Sequence, residues 1–358
     1  MKTHLSRDQI DTLEAELDAI RAEVAADLGE RDAAYIRGIV RVARWNAIAG
    51  RSLLMFGFTP ISWFAGTSAL GLAKILENME IGHNVMHGQY DWMNDPALDS
   101  QTYEWDNVCD SGDWRHSHNV LHHTYTNILG KDRDVGYSVM RVADEQSWSP
   151  KHLLQPISNI ALSVLFQWGV GLHDLDVSRN LTTAEGRREI RARSGPFLRK
   201  AVRQIFKDYV FFPAIALGNA PRVLLGNLAA NLTRNVWSNV IIFCGHFPDG
   251  TRFYSEEETA NESRGAWYVR QIEGSANIEG GRWFHVLSGH LSHQIEHHLL
   301  PDLPAHRYAE IAPRVHAICE KYGIRYNTRS FWTQYGSVLR GLVRRSLPTP
   351  KRPQLAAD

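Results

Sequence analysis

Cysteine is scarce in this chain. Cys109, Cys244 and Cys319 stand far apart and form no CxxC pair, which excludes a disulfide scaffold and a cysteine zinc module. Net charge is absent too. Thirty-nine basic side chains balance 39 acidic ones, so no nucleic-acid partner is expected. Compositional bias is missing: charged residues make up 22% and aromatics 10% of the chain, which rules out a disordered or collagen-like polymer. The polar stretch 1–32 lacks an apolar run, so no secretory signal peptide is expected there. Within it Leu13, Leu17, Ile20 and Val24 recur at helical spacing, which predicts a solvated amphipathic surface helix.

Charge is also missing in long local runs. None lies between Arg51 and Lys74, and the 22-residue run 52–73 suffices for one crossing of about 20 residues. Pro60 interrupts it, so two helices with a turn near Gly66 are the alternative. A second charge-free run lies between Lys151 and Asp174. A third, 209–248, carries only Arg222 and Arg234 as charges and reads as two helices joined at Gly218-Asn219-Ala220-Pro221. The mean hydropathy of −0.31 then requires much of the chain to lie outside a bilayer, in 1–44, 82–150, 174–208 and 249–358. The expectation is a small helical membrane base under a large aqueous cap. Segment 174–208 holds nine arginines and lysines, an excess that marks the cytoplasmic side.

Histidine is what the chain has in abundance. There are 17, and 11 fall in 83–123 and 285–298. The groupings are HNVMH (83–87), HSHNVLHH (116–123) and HQIEHH (293–298), with His246 alone at the end of an apolar helix. On an α-helix, residues i and i+4 share a face. His83 and His87 can therefore address one metal ion, as can His118 with His122 and neighbouring His123, and His293 with His297 and His298. Imidazole is the commonest metal ligand near neutral pH. One zinc takes about four ligands, three in a catalytic site, so this many imidazoles suits two ions. Histidine-rich sites with open positions suit iron that meets dioxygen; copper and zinc also accept nitrogen ligands. His116 and His285 read as residues behind the ligands. His4, His152, His173, His306 and His316 read as ordinary histidines.

Parity constrains the topology. The first two boxes are joined by a polar stretch and share one side of the membrane. The third meets them only if the crossings between His123 and His290 are even in number. The hairpin 209–248 supplies two, so 152–173 is expected to lie along the interface or in the cap. The basic segment then faces the same side as the metal, the cytoplasm.

The boxes HNVMH, WRHSHNVLHH and SHQIEHH, followed by Leu299-Leu300-Pro301-Asp302-Leu303-Pro304, resemble those of the integral-membrane fatty acid desaturase family. The resemblance covers about 45–326. Gln294 before IEHH is similar to the subgroup of front-end and bacterial linoleoyl-CoA-type desaturases. The resemblance implies an all-α integral-membrane fold, with about four transmembrane helices under a helical cytosolic cap that holds two iron ions. The expected division is a cytosolic N-terminal segment 1–44, a membrane desaturase domain 45–326 and a cytosolic tail 327–358. The implied ligands are His83, His87, His118, His122, His123, His297 and His298. His246 falls where the family has an extra ligand, and either His293 or Gln294 completes the third box. No haem-binding HPGG sequence is present, so electrons are expected from a separate ferredoxin, cytochrome or flavin reductase. The basic segment reads as a dock for an acidic donor or anionic lipid.

The implied reaction inserts a double bond into a fatty acyl chain carried by CoA or by a membrane lipid. No side-chain acid or base abstracts hydrogen from an unactivated alkyl chain; a metal–dioxygen centre does. Asp132, Asp134 and Glu296 are candidates to orient the ligands. A bent apolar tunnel is expected for the chain, with Trp63, Phe64, Trp114, Trp168 and Trp237 as candidate walls or plain core. A di-iron lipid hydroxylase or alkane monooxygenase shares the same histidine logic. A non-catalytic zinc-binding membrane receptor is the reading from another class.

Overall fold

A computed structural model of the chain describes residues 3–348, except for the side chains of Ser178 and Arg179. Residues 349–358 of the expected tail lie outside the described residues. The architecture is helical apart from one parallel pair of three-residue strands, Asn277–Glu279 beside Thr328–Ser330.

The N-terminal helix Arg7–Ala26 starts at a capping box, in which Ser6 and Gln9 satisfy one another's backbone amides. Its stripe of Leu13, Leu17, Ile20 and Val24 is buried. It packs in one cluster with Tyr268, Ile311, Val315 and Ile318. This corrects the expected solvated helix: its outer face is polar, but its stripe is core of the cap.

The base is built from long helices. Glu30–Phe56 runs unbroken through position 45, where the sequence division placed a boundary. The chain turns at 57–59 rather than near Gly66. Thr59 caps the next helix, Pro60–Ile75, through the Ser62 amide, and Pro60 occupies its first turn, where a missing N–H costs nothing. Gly66 instead lies on the helix face opposite Gly50. A Cβ on Gly50 would lie 2.8 Å from the Gly66 carbonyl oxygen, so glycine permits that close crossing. The helix continues through a π segment, Leu76–Gly82, into His83–Met86.

On the other side, Ala184–Ile205 continues through a second π segment, Phe206–Phe211, into Phe212–Ile215. A 3-10 turn, Leu217–Asn219, leads into Ala220–His246, at the turn tetrapeptide read from the sequence. Asn219 donates to the Met55 and Gly57 carbonyls and so ties the two turns of the base together.

No single described helix is long and apolar enough to cross a membrane. One pair, Pro150–Val164 with Phe166–Asp174, passes that test jointly but is bent by 97°. The long helices of the base are broken by π segments or carry buried charge. They nevertheless present bare apolar side chains: Phe56, Phe58, Ile61, Phe64, Phe211 and Leu217 are all exposed, Leu217 by 81%. A contiguous apolar belt of this kind marks an interaction surface.

Candidate metal centre

The first box follows the Leu76–Gly82 π segment and leaves the base as His83–Met86. The second starts at Asp110, whose carboxylate caps Ser111–Trp114 through the Gly112 and Asp113 amides. It continues as a π helix, Arg115–His122, into His123–Tyr125. The α-helical premise behind the spacing is corrected here. A π helix bonds i to i+5, so positions i+4 and i+5 both return to the same face. His118 thus has His122 at 5.2 Å and His123 at 5.0 Å between ring centroids, which an α-helix would have split. The third box is the helix Gln294–Leu299. Gly289, at φ 66°, precedes it, and a side chain there would strike the Met79 backbone. That close approach brings box three against the π segment of box one. His246 ends the long helix Ala220–His246.

Eight of the nine candidate histidines converge. The ligating nitrogens of His83, His87, His118 and His297 lie within 4.8 Å of one another, and so do those of His122, His246 and His298. A third grouping, His123 with His297 and His298, joins the two. His118 and His122 also group with Asp134. Most of these nitrogens are buried and without partners: Nε2 of His87, His118, His122 and His298, both nitrogens of His123 and His297, and Nδ1 of His246. Orphaned buried polar atoms are costly. So many in one place fit a pair of metal ions, whose coordination would satisfy one nitrogen of each imidazole.

Groups behind the ligands fix their orientation. The two Asp132 oxygens each lie 3.1 Å from Nδ1 of His122. The Asn127 and Asp134 amides hold that carboxylate in turn. His298 donates through Nδ1 to Gln271 Oε1 at 2.9 Å, and His83 through Nδ1 to Asn84 Oδ1 at 3.0 Å. Each contact leaves Nε2 for a metal. Asp134 lies 3.7 Å from Nδ1 of His118 and 3.0 Å from Nε2 of His173. His173 read as an ordinary histidine and is corrected to a member of this network; no local motif marks it. Asn84 sits inside the first box, but Gln271 lies 27 positions from His298, and nothing in its neighbourhood signals its role.

Electrostatics divide the cluster. Burial and neighbouring imidazoles push His123, His297 and His298 well below the ordinary imidazole value, which keeps them neutral and ready to ligate. Burial acts on His122 in the same direction, but the Asp132 and Asp134 carboxylates outweigh it and raise His122 to about 9. Burial raises Asp134, and its contacts with His118, His122 and His173 more than reverse that, holding it well below the carboxylate range.

Other candidates stand apart. His293 belongs to none of these groups among the described residues; its ring packs on His285 at 4.5 Å. Gln294 contacts His246, Nε2 to Nε2, at 3.2 Å. Glu296 turns away, accepting from Asn277 and Tyr326 at 2.8 and 2.7 Å, and burial raises it to about 7. His116 is exposed. His290 pairs with Glu80 at 3.0 Å. A narrow cavity runs from His83, His118, His122 and His246 down to Arg234 in the base. Trp114 lines it and stacks on His118 at 4.4 Å. Trp63, Phe64, Trp168 and Trp237 are not among its lining residues.

The fatty acid desaturase family model matches residues 58–330. The chain is 48% identical over 349 residues to an NADPH-dependent stearoyl-CoA 9-desaturase of Mycobacterium tuberculosis, covering 96% of this chain and 82% of that one. It is 25% identical over 335 residues to an sn-1 linoleoyl-lipid 6-desaturase of Synechocystis, covering 88% of each. An acyl-lipid (7-3)-desaturase of Diacronema lutheri is 29% identical over 301 residues, covering 82% of this chain and 63% of that protein. With the three boxes folded onto one buried cluster, the chain belongs to the fatty acid desaturase family and is an oxidoreductase that desaturates acyl chains.

Proposed function

We propose that the chain is a multi-pass membrane desaturase that binds two iron ions and introduces a double bond at the ninth position of a long-chain acyl-CoA. Electrons come from NADPH by way of a separate donor protein. The observation that carries the metal assignment is the set of partnerless imidazole nitrogens in two joined groups. The carrier, position and electron source follow the name of the 48% identical relative.

His83, His87, His118 and His297 hold one ion; His122, His246 and His298 hold the other, with His123 between them. The chemistry that a bound iron pair would supply is reduction of dioxygen by two electrons from the donor and two from the alkyl chain, which with two protons and the two hydrogens lost from neighbouring methylenes would give two waters and the alkene. Asp132, Asn84 and Gln271 fix the imidazole tautomers. Trp114 and Ile242 wall the cavity beside the histidines and hold the alkyl chain against them. His293 joins none of the histidine groups among the described residues and is not assigned as a ligand; Gln294 is assigned to hold His246, which it contacts at 3.2 Å.

We further propose that four crossings form the base, two in 45–82 and two in 206–248. The bent pair at 150–174 lies at the interface, and the cap with segments 1–44 and 327–358 faces the cytoplasm. The exposed apolar belt supports this reading. So does the 97° bend, which suits a helix pair lying at a surface.

The test is expression in a host with a matching reductase, with total fatty acids compared by gas chromatography–mass spectrometry against the His122→Ala variant. A new alkene that depends on His122, with iron at about two per chain, supports the reading. A hydroxylated chain assigns a monooxygenase instead. Zinc alone, with no new lipid, assigns a non-catalytic metal protein.

A further inference from the structure

Two helices of the base change character along their length on the side that faces outward. On Ala184–Ile205 the exposed side chains are first charged, with Arg187, Arg188 and Arg191 beside Glu185 and Glu189. They then alternate: Leu198, Arg199, Val202 and Arg203 are all exposed. Beyond Arg203 they are apolar only, in Ile205, Phe206, Val210 and Phe211. The mixed zone 198–203 rises about 7 to 8 Å along the helix. That matches the headgroup layer on one side of a bilayer, about 5 to 8 Å thick.

The helix Glu30–Phe56 repeats the change independently and in the same chain direction. Arg41 and Arg44 are exposed, and Trp45, 68% exposed, begins the apolar side chains that continue through Ile48 and Phe56. Arg44, Arg199 and Arg203 have no carboxylate within ion-pair distance among the described residues, and Arg41 bonds only to the Arg37 carbonyl of its own helix. On Ala184–Ile205 and the π segment after it, the cations turned inward are paired, whereas Arg188 and Arg191 also have no ion pair among the described residues. Arg193 reaches Asp113 at 2.9 Å, Lys200 pairs with Glu104, and Lys207 pairs with Asp106. The internal partners are used where the helix faces the cap, and the outward arginines are left over.

We propose that Arg41, Arg44, Arg199 and Arg203 form a collar that binds the phosphates of anionic phospholipid headgroups in the cytoplasmic leaflet. This rests on the reading that these helices enter a bilayer. Apolar side chains between the arginines favour a lipid surface over an acidic protein, which would leave Leu198 and Val202 against polar groups. Arg188 and Arg191 sit about 10 Å or more above Leu198 by helical rise, beyond the headgroups, and take no part.

The test places the full chain in nanodiscs of phosphatidylcholine with phosphatidylglycerol and counts retained lipids by native mass spectrometry. Each basic residue near an anionic surface favours it about five-fold. Phosphatidylglycerol should therefore be enriched several-fold around the wild-type chain. The Arg199→Gln/Arg203→Gln and Arg41→Gln/Arg44→Gln pairs should each lower the enrichment, and their combination should bring it near parity. Arg188→Gln/Arg191→Gln should leave it unchanged. Raising ionic strength on the unmodified chain should lower it as well, a check that needs no variant to fold.

Parity in the wild type overturns the proposal. Equal loss in the collar and the 188/191 variants overturns it in favour of a diffuse field. Capture of a second copy or of an acidic donor protein at the collar, without lipid, overturns it too. Carbonate extraction of cell membranes separates the failures: release of the chain removes the bilayer reading itself, while retention with parity removes only the collar. The count is made on resting protein and does not depend on desaturation.

Discussion

Two buried polar clusters sit in this molecule, and they differ in one respect. In the cap, nine nitrogens of seven clustered histidines, from His87, His118, His122, His123, His246, His297 and His298, are buried without a partner. In the base, Asp208 is equally buried, yet its carboxylate accepts from Arg51 at 3.0 Å, Lys74 at 2.8 Å and Asn231 at 3.1 Å. The Arg51 guanidinium also covers the Phe212 ring at 3.6 Å. Buried polar groups are satisfied in native proteins. A satisfied cluster therefore holds helices together, and an unsatisfied one of ligand type holds something else. The base uses charge to lock helix to helix, and the cap keeps its imidazoles for metal.

That contrast can be broken by experiment. The largest effect is expected from His297→Ala, because His297 belongs to the first group and to the grouping that joins it to the second. Product alkene should fall to background and metal content should drop, while the chain stays in the membrane fraction; full activity in this variant would remove the ligand assignment. Asp208→Ala should behave in the opposite way. It strands the buried Lys74 ammonium, at a cost of about 3–5 kcal/mol of stability. Thermal unfolding in detergent should shift accordingly, while metal per folded chain stays unchanged. Loss of metal from the folded Asp208 variant would erase the distinction between the clusters.

Asp132→Asn probes the contact behind His122 and should weaken metal binding about 10- to 100-fold, as read by titration against a competing chelator. The smallest effect is one of pH. With its value raised to about 9, His122 holds a proton at neutral pH in the metal-free chain, and metal must displace it. Affinity of the metal-free protein should therefore rise about ten-fold per pH unit up to about 9 and then level off. His123, His297 and His298 are shifted downward and are already neutral in that window. In Asp132→Asn the plateau should start at lower pH. A profile flat between neutrality and pH 9 would show that His122 carries no proton to displace.

Much of the site was legible because histidine boxes are local. HNVMH and the following boxes put ligands on single helical turns, where spacing alone relates them. The same logic took the wrong period for the second box. A π helix differs from an α-helix by one residue per hydrogen-bonded ring, and nothing in RHSHNVLH announces that. His173 and Gln271 reach the ligand network only through the fold, so spacing says nothing of what they touch. The N-terminal stripe was found by its period, but period does not tell core from solvent. Leu13 and Leu17 are buried because Tyr308–Tyr322 and Arg264–Gly274 lie across them. The turn at Thr59-Pro60 was misplaced to Gly66 because glycine serves both turns and close packing, and only the neighbouring Gly50 distinguishes the two.

The sequence by itself determined the chemistry: the imidazole-rich, cysteine-free ligand set, the helical class and the desaturase family, all carried by residues close together in the chain. Tertiary structure alone decided which imidazoles meet. It joined His246 to His122 and His298, left His293 packed on His285, and turned Glu296 toward Tyr326. The reason is geometric. Two metal positions are defined by distances between side chains more than 100 positions apart, and those distances are fixed only when the helices that carry them pack.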